Sequence, residues 1–111
     1  MKLQDMISPL ELKALTHVED KEVEGIFISD MLSDVMSSAK AGDLWLTVQT
    51  HKNIVSAANL VDMAAIVVTH GKSVPKETVD LADRFHVAIL SCDGSNFELS
   101  AKLHAIGFRP R

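Results

Sequence analysis

The sequence predicts an α/β domain: a mainly parallel five-stranded sheet with helices on both faces. Three observations carry this. Short apolar runs alternate with amphipathic segments along the chain, and a small polar cluster marks each passage from run to helix. One run, Ala64 to Thr69, is almost unbroken in its apolarity. Such a run suits a strand covered above and below, as the strands of parallel sheets are.

The elements are expected in the following order. Lys2 to Ile7 reads as a first strand. Ser8-Pro9-Leu10-Glu11 then reads as a helix start, with Ser8 as cap, Pro9 where a missing N–H costs nothing, and Glu11 closing a capping box; this helix ends near Thr16. Val23 to Ile28 is the second strand. Met31, Leu32, Val35, Met36 and Ala39 follow at helical spacing as core positions, and Gly42 stands where a left-handed cap is wanted. Asp43 to Thr50 is the third strand, its Leu44, Leu46 and Val48 alternating with Trp45, Thr47 and Gln49, so that its two faces differ in polarity and Trp45 leans toward exposure. His51-Lys52-Asn53 opens a helix with Ile54, Val55, Ala57, Ala58 and Val61 buried. Ala64 to Thr69 is the fourth strand, and Pro75 starts a helix with Val79, Ala82 and Phe85 inward. Val87 to Leu90 is the fifth strand. Ser95 and Glu98 form a capping box for a last helix, which buries Leu99, Leu103 and Ile106 and ends at Gly107.

Composition narrows the function classes. At 111 residues the chain fits one domain. A net charge of -4 and an aromatic content of 5%, with Trp45 the single Trp, offer neither a basic footprint nor stacking platforms for nucleic acid. With one cysteine, Cys92, no disulfide can form within the chain, and that thiol reads as a small buried hydrophobe rather than a nucleophile. The first residues lack the apolar core of a signal peptide and no run approaches bilayer length, so the expectation is a cytoplasmic domain without a membrane partner.

In open α/β sheets ligands sit beyond the carboxyl ends of the strands, against helix N-termini. Those ends place Ser29, Asp30, Thr50, His51, Thr69, His70, Gly71, Ser91, Asp93 and Ser95 as candidate ligand-binding residues. Ser, Thr and Asp at such junctions are also wanted as helix caps, which is the plainer reading of Ser29, Asp30 and Ser95. His51 and His70 are harder to explain as caps. No ligand spacing supports a metal site, and no dinucleotide fingerprint, P-loop or nucleophile elbow occurs, so neither a cofactor nor a catalytic residue is assigned.

With the βα units placed, the chain resembles a DRTGG domain, the small α/β module of the N-terminal region of HPr kinase/phosphorylase-like proteins, of some phosphotransacetylases, and of proteins where it stands beside CBS domains. The resemblance rests on Gly25-Ile-Phe-Ile-Ser-Asp-Met-Leu-Ser-Asp-Val-Met36, on Leu44-Trp-Leu-Thr-Val-Gln-Thr-His-Lys-Asn-Ile-Val55, on Ala65-Ile-Val-Val-Thr-His-Gly71 with Pro75, and on Ser95-Asn-Phe-Glu-Leu99. The glycine-rich loop of such domains survives here as Thr69-His70-Gly71. The resemblance implies a regulatory or interaction module without catalysis of its own, often at a dimer interface. It is also similar to a stand-alone branch encoded near iron-only hydrogenases.

The first expectation is therefore a non-catalytic regulatory domain that forms a homodimer, with Trp45 and Phe27 as interface candidates, and that binds a small anionic or nucleotide-like ligand at the strand ends. The alternatives are an accessory protein docking on a hydrogenase or other redox enzyme, and a small acid–base enzyme using His51, His70 and Asp30 or Asp93.

Overall fold

The computed structural model describes residues 1–111 and contains a five-stranded sheet between two layers of helices. In chain order the elements are α1 (Leu3–Ile7), β1 (Lys13–Ala14), β2 (Gly25–Ile28), α2 (Leu32–Ser38), β3 (Asp43–Thr47), α3 (Asn53–Val61), β4 (Ala65–Val68), α4 (Lys76–Arg84), β5 (Ile89–Ser91) and α5 (Asn96–Ala105). The sheet order is β1-β5-β4-β3-β2. β2 through β5 are parallel neighbours, and only β1 runs antiparallel, pairing Lys13 with Ser91 and Ala14 with Leu90.

This order decides where the helices lie. From β2 to β5 each crossover steps to the adjacent strand in the same direction, and right-handed crossovers then put α2, α3 and α4 on one face. Their Val35, Ile54, Val55, Ala58 and Ala82 share a core with Trp45, Ile66, Val68 and Ile89. On the opposite face, Leu3 and Met6 of α1 and Leu99 and Leu103 of α5 pack on Leu44, Leu46, Val67 and Leu90. The expected fold class is met, mainly parallel with helices on both faces.

The first unit differs from expectation. Lys2 to Ile7 is not a strand, and no helix runs from Ser8 to Thr16. The apolar spacing decides this: Leu3, Met6 and Leu10 repeat at helical intervals and are buried together. Pro9 ends that helix instead of starting one, because a proline ring cannot extend the preceding turn. Leu10 N–H still reaches Met6 O, Glu11 N–H closes a turn on Ser8 O, and Glu11 takes a positive φ of 55° before the chain enters β1.

Smaller corrections follow from the two-sided cover. β3 ends at Thr47 rather than Thr50 and is buried along its whole length, so its faces do not differ in exposure. Trp45 is 0% exposed, with Nε1 donating to Ser29 O at 2.8 Å, and Phe27 is half-buried. Met31, Met36 and Phe85, expected inside, are exposed, while α2 buries Val35 and half-buries Leu32 and Ala39. Ile106 is also exposed. Gly42 has the expected left-handed φ, 84°, but serves the turn into β3 rather than the helix cap, which is Ala39. The Ser95–Glu98 capping box forms as expected.

The C-terminal residues clasp the amino end of the sheet. Arg111 Nη2 bonds to the buried Asp43 carboxylate at 2.7 Å and to Ala41 O at 3.1 Å, and Lys40 N–H donates to the other Asp43 oxygen. Gly25 makes room for this clasp, since a Cβ there would stand 2.5 Å from Arg111 Nε and 2.7 Å from the Asp43 carboxylate.

Replacing Trp45 with Ala is expected to cost about 3–5 kcal/mol, from lost burial and the cavity left behind. Met31→Ala is expected to stay within about 0.5 kcal/mol. Urea denaturation of the two variants checks the reversal of roles between these side chains.

Candidate functional site

The carboxyl edge of the sheet is where the sequence places its candidates, and the structure shows what each one touches. Beyond β2, Ser29 Oγ accepts from Met31 N–H at 3.1 Å, a cap-like contact one residue before α2. Asp30 turns toward β3. Its Oδ1 accepts from Thr47 Oγ1 at 2.8 Å and from Val48 N–H at 2.9 Å, and its backbone O accepts from Gln49 Nε2 at 3.0 Å. The carboxylate therefore replaces the ladder that β3 loses when it stops at Thr47, and it pairs a hydroxyl that is wholly buried.

Thr50 and His51 link β3 to the helical layer. Thr50 O accepts from the buried Thr78 hydroxyl of α4 at 2.9 Å, and His51 Nδ1 accepts from Asn53 N–H, the first residue of α3, at 3.3 Å. Beyond β4, Thr69 Oγ1 meets Asn96 Oδ1 at 2.6 Å, and His70 Nε2 accepts from Asn96 N–H, the first residue of α5, at 3.3 Å. The two imidazoles thus serve different helices, each filling a free N–H of a first turn. His70 and Gly71 both hold positive φ, 62° and 63°, which turns their N–H groups toward Gly94 O and Cys92 O. Ser91 closes β5 opposite Lys13, Asp93 is exposed without a hydrogen-bond partner, and Ser95 Oγ caps α5 through Glu98 N–H at 3.1 Å.

The topology makes one gap in this edge. The chain leaves β4 for α4 on one face and β5 for α5 on the other, so the loops after β4 and β5 diverge; such divergence is where α/β sheets open a ligand crevice. Here the crevice is bridged by His70, Thr69 and Asn96. Beside it a cleft of about 70 Å³ is lined by Glu11, Asp93, Glu98 and Lys102 with Cys92 at its base, an environment dominated by carboxylates. Cys92 is buried, as expected of a small hydrophobe.

The next pair of loops has the opposite character. β3 and β4 are adjacent and parallel, and they end in Thr50-His51-Lys52 and Thr69-His70-Gly71-Lys72. His51, Lys52, His70 and Lys72 are all exposed. Lys52 and Lys72 were absent from the sequence-based candidates, although the near-repeat of Thr-His-Lys one loop apart is the signal that marks them. No group of three His, Cys, Asp or Glu side chains is arranged to hold a metal ion. Two groups are displaced from their ordinary pKa: Glu22, before β2 at the amino end of the sheet, and Lys76, the first residue of α4. A hydrogen bond from the N-terminal ammonium holds the Glu22 carboxyl low, and one to Asp80 holds Lys76 high.

No family model matches the chain, and no curated protein matches it in sequence. Among solved structures it is similar to the CBS and DRTGG domains of the regulatory region of a Clostridium perfringens pyrophosphatase, a structure complexed with its activator, diadenosine tetraphosphate. The TM-score is 0.71 at 16% identity, over 91% of this chain and 45% of that one. The fold is thus shared with part of a regulatory region that includes a DRTGG domain, and the chain spans less than half of the length it is matched to. No helix is long and apolar enough to cross a membrane.

Asp30→Ala is expected to destabilise the fold by about 1–3 kcal/mol, because it leaves the buried Thr47 hydroxyl and Val48 N–H without their acceptor. Asp93→Ala should change stability by less than about 0.5 kcal/mol. Equilibrium denaturation of both variants separates the structural carboxylate from the free one.

Proposed function

We propose that this chain is a non-catalytic regulatory domain of DRTGG type, which self-associates and binds a small anionic, nucleotide-like ligand at the carboxyl edge of its sheet. The observation that carries the ligand reading is the pair of adjacent loops Thr50-His51-Lys52 and Thr69-His70-Gly71-Lys72. Together they present two ammonium groups and two imidazoles on one edge, beyond strands β3 and β4. Anionic groups approaching there meet positive charge and the N-terminal end of α3, whose dipole adds to the attraction. Of the carboxylates of the edge, Asp30 is engaged with Thr47 and Val48 at the end of β3, and Asp93 and Glu98 line the cleft on the β5 side.

The same geometry speaks for binding rather than turnover. His51 and His70 spend a ring nitrogen each on a different helix N-terminus, and Asp30 accepts two hydrogen bonds within the fold. An acid–base pair needs those groups free and facing one reacting centre. A regulatory role also agrees with the fold shared with a pyrophosphatase's regulatory region.

Calorimetric titration with pyrophosphate, AMP, ATP and diadenosine tetraphosphate tests the reading. Saturable binding by at least one of them is expected, weakened roughly tenfold or more by Lys72→Glu and by added salt. Absence of heat from every probe at millimolar concentration would remove the ligand role. Binding unchanged by Lys72→Glu would move the site away from these loops.

A further inference from the structure

The outer surface of the α2–α3–α4 layer carries a groove of about 470 Å³. Its floor is α3, where Asn53, Ser56 and Leu60 are exposed and Ala57 lies buried beside them. Leu32 and Met36 of α2 form one wall, and Phe85 closes the end near Leu60. Leu60 is 69% exposed, Met36 52% and Phe85 49%, each near or at the carboxyl end of its helix. No residue lining the groove is ionisable. Apolar side chains gathered in this way, rather than scattered singly, mark a surface that is covered in use.

We infer that the occupant is a second copy of this chain, with the two α3 helices packed antiparallel about a two-fold axis between Ser56 and Ala57. The inference rests on the self-association proposed above and names its surface. An axis at that point carries residue 60 onto residue 53 and residue 56 onto residue 57. Leu60 of each copy then lies over Asn53 of the other, beside Leu32, while Ser56 faces Ala57, whose small side chains let the helices approach. A two-fold interface requires a patch with both a projection and the recess that receives it. Here Leu60 is the projection, and the small-residue floor toward Asn53 is the recess.

Charge selects the antiparallel arrangement. Lys52 precedes α3 and Asp62 is its cap at the other end, both exposed. Antiparallel packing brings Lys52 of one copy to the Asp62 end of the other and opposes the two helix dipoles. Parallel packing would set Lys52 against Lys52 and Asp62 against Asp62. For a chain of net charge -4, an uncharged groove flanked by opposite charges is also where two copies meet with least repulsion.

Sedimentation velocity over a range of concentrations is the first test. The unmodified chain should show a concentration-dependent dimer, and Leu60→Lys should weaken it roughly tenfold or more, because it removes a buried leucine and brings a cation to Lys52 of the other copy. Leu60 is largely exposed in the single chain, so circular dichroism and melting of the variant should be unchanged at low concentration, which separates lost association from lost folding. A dimer indifferent to Leu60→Lys overturns this interface and leaves self-association standing; a chain monomeric at every concentration overturns both. The second test mixes Asn53→Cys and Leu60→Cys proteins under mild oxidation. A disulfide-linked dimer that needs both variants supports the antiparallel packing. A link formed by Leu60→Cys alone overturns it.

Discussion

The structure depends on one constraint: a central strand, β3, buried on both faces and flanked on both edges. Leu44 and Leu46 face one helical layer and Trp45 the other, so no polar group of this strand can turn to water along its length. Backbone pairing satisfies the interior, but where the ladder stops something else must finish the account. Asp30 does so for Val48 and Thr47, and Thr69 N–H reaches Thr47 O from the neighbouring strand. The polar residues of the carboxyl edge are there first because a doubly covered sheet demands them.

That demand reshapes how the edge can function. On the β5 side the loops are tied across the crevice by His70 and Asn96, and the remaining cleft is acidic. Toward β3 and β4 the same loops leave Lys52 and Lys72 pointing to no internal partner among the hydrogen bonds and ion pairs, beside imidazoles that already hold helix ends. Structural and binding roles are thus divided by charge along one edge rather than by separate regions of the fold. The helical layer adds a second surface at right angles in purpose, uncharged and apolar, with α3 belonging to both: its first turn faces the cationic loops and its outer stripe faces the groove.

Much of this was legible from spacing. The apolar run of β4, Ile54, Val55, Ala57 and Ala58 of α3, Leu99 and Leu103 of α5, and the Ser95 capping box emerge where the pattern puts them, because each is set by contacts within a few residues. The first unit departs from its sequence pattern because two local signals compete. Ser8-Pro9 and Glu11 look like a helix start, yet Leu3, Met6 and Leu10 bury one face, and burial of three large side chains outweighs a cap. Trp45 and Met36 depart from their expected environments for a related reason. Alternation and helical spacing say which residues share a face, and say nothing of how many layers cover it.

By itself, the sequence determined the class of fold, the order of helices and strands beyond residue 24, and the polar character of every strand end, since these follow from periodicity and from turn and cap chemistry. Only the tertiary structure decided that Asp30 belongs to β3 rather than to its own helix, that His70 closes α5 rather than the helix that follows it, and that Lys52 and Lys72 come to adjacent loops. It also decided which apolar side chains stay outside. These are matters of strand order and crossover direction, which bring residues 17 to 28 positions apart into hydrogen-bond contact, and no local pattern encodes them.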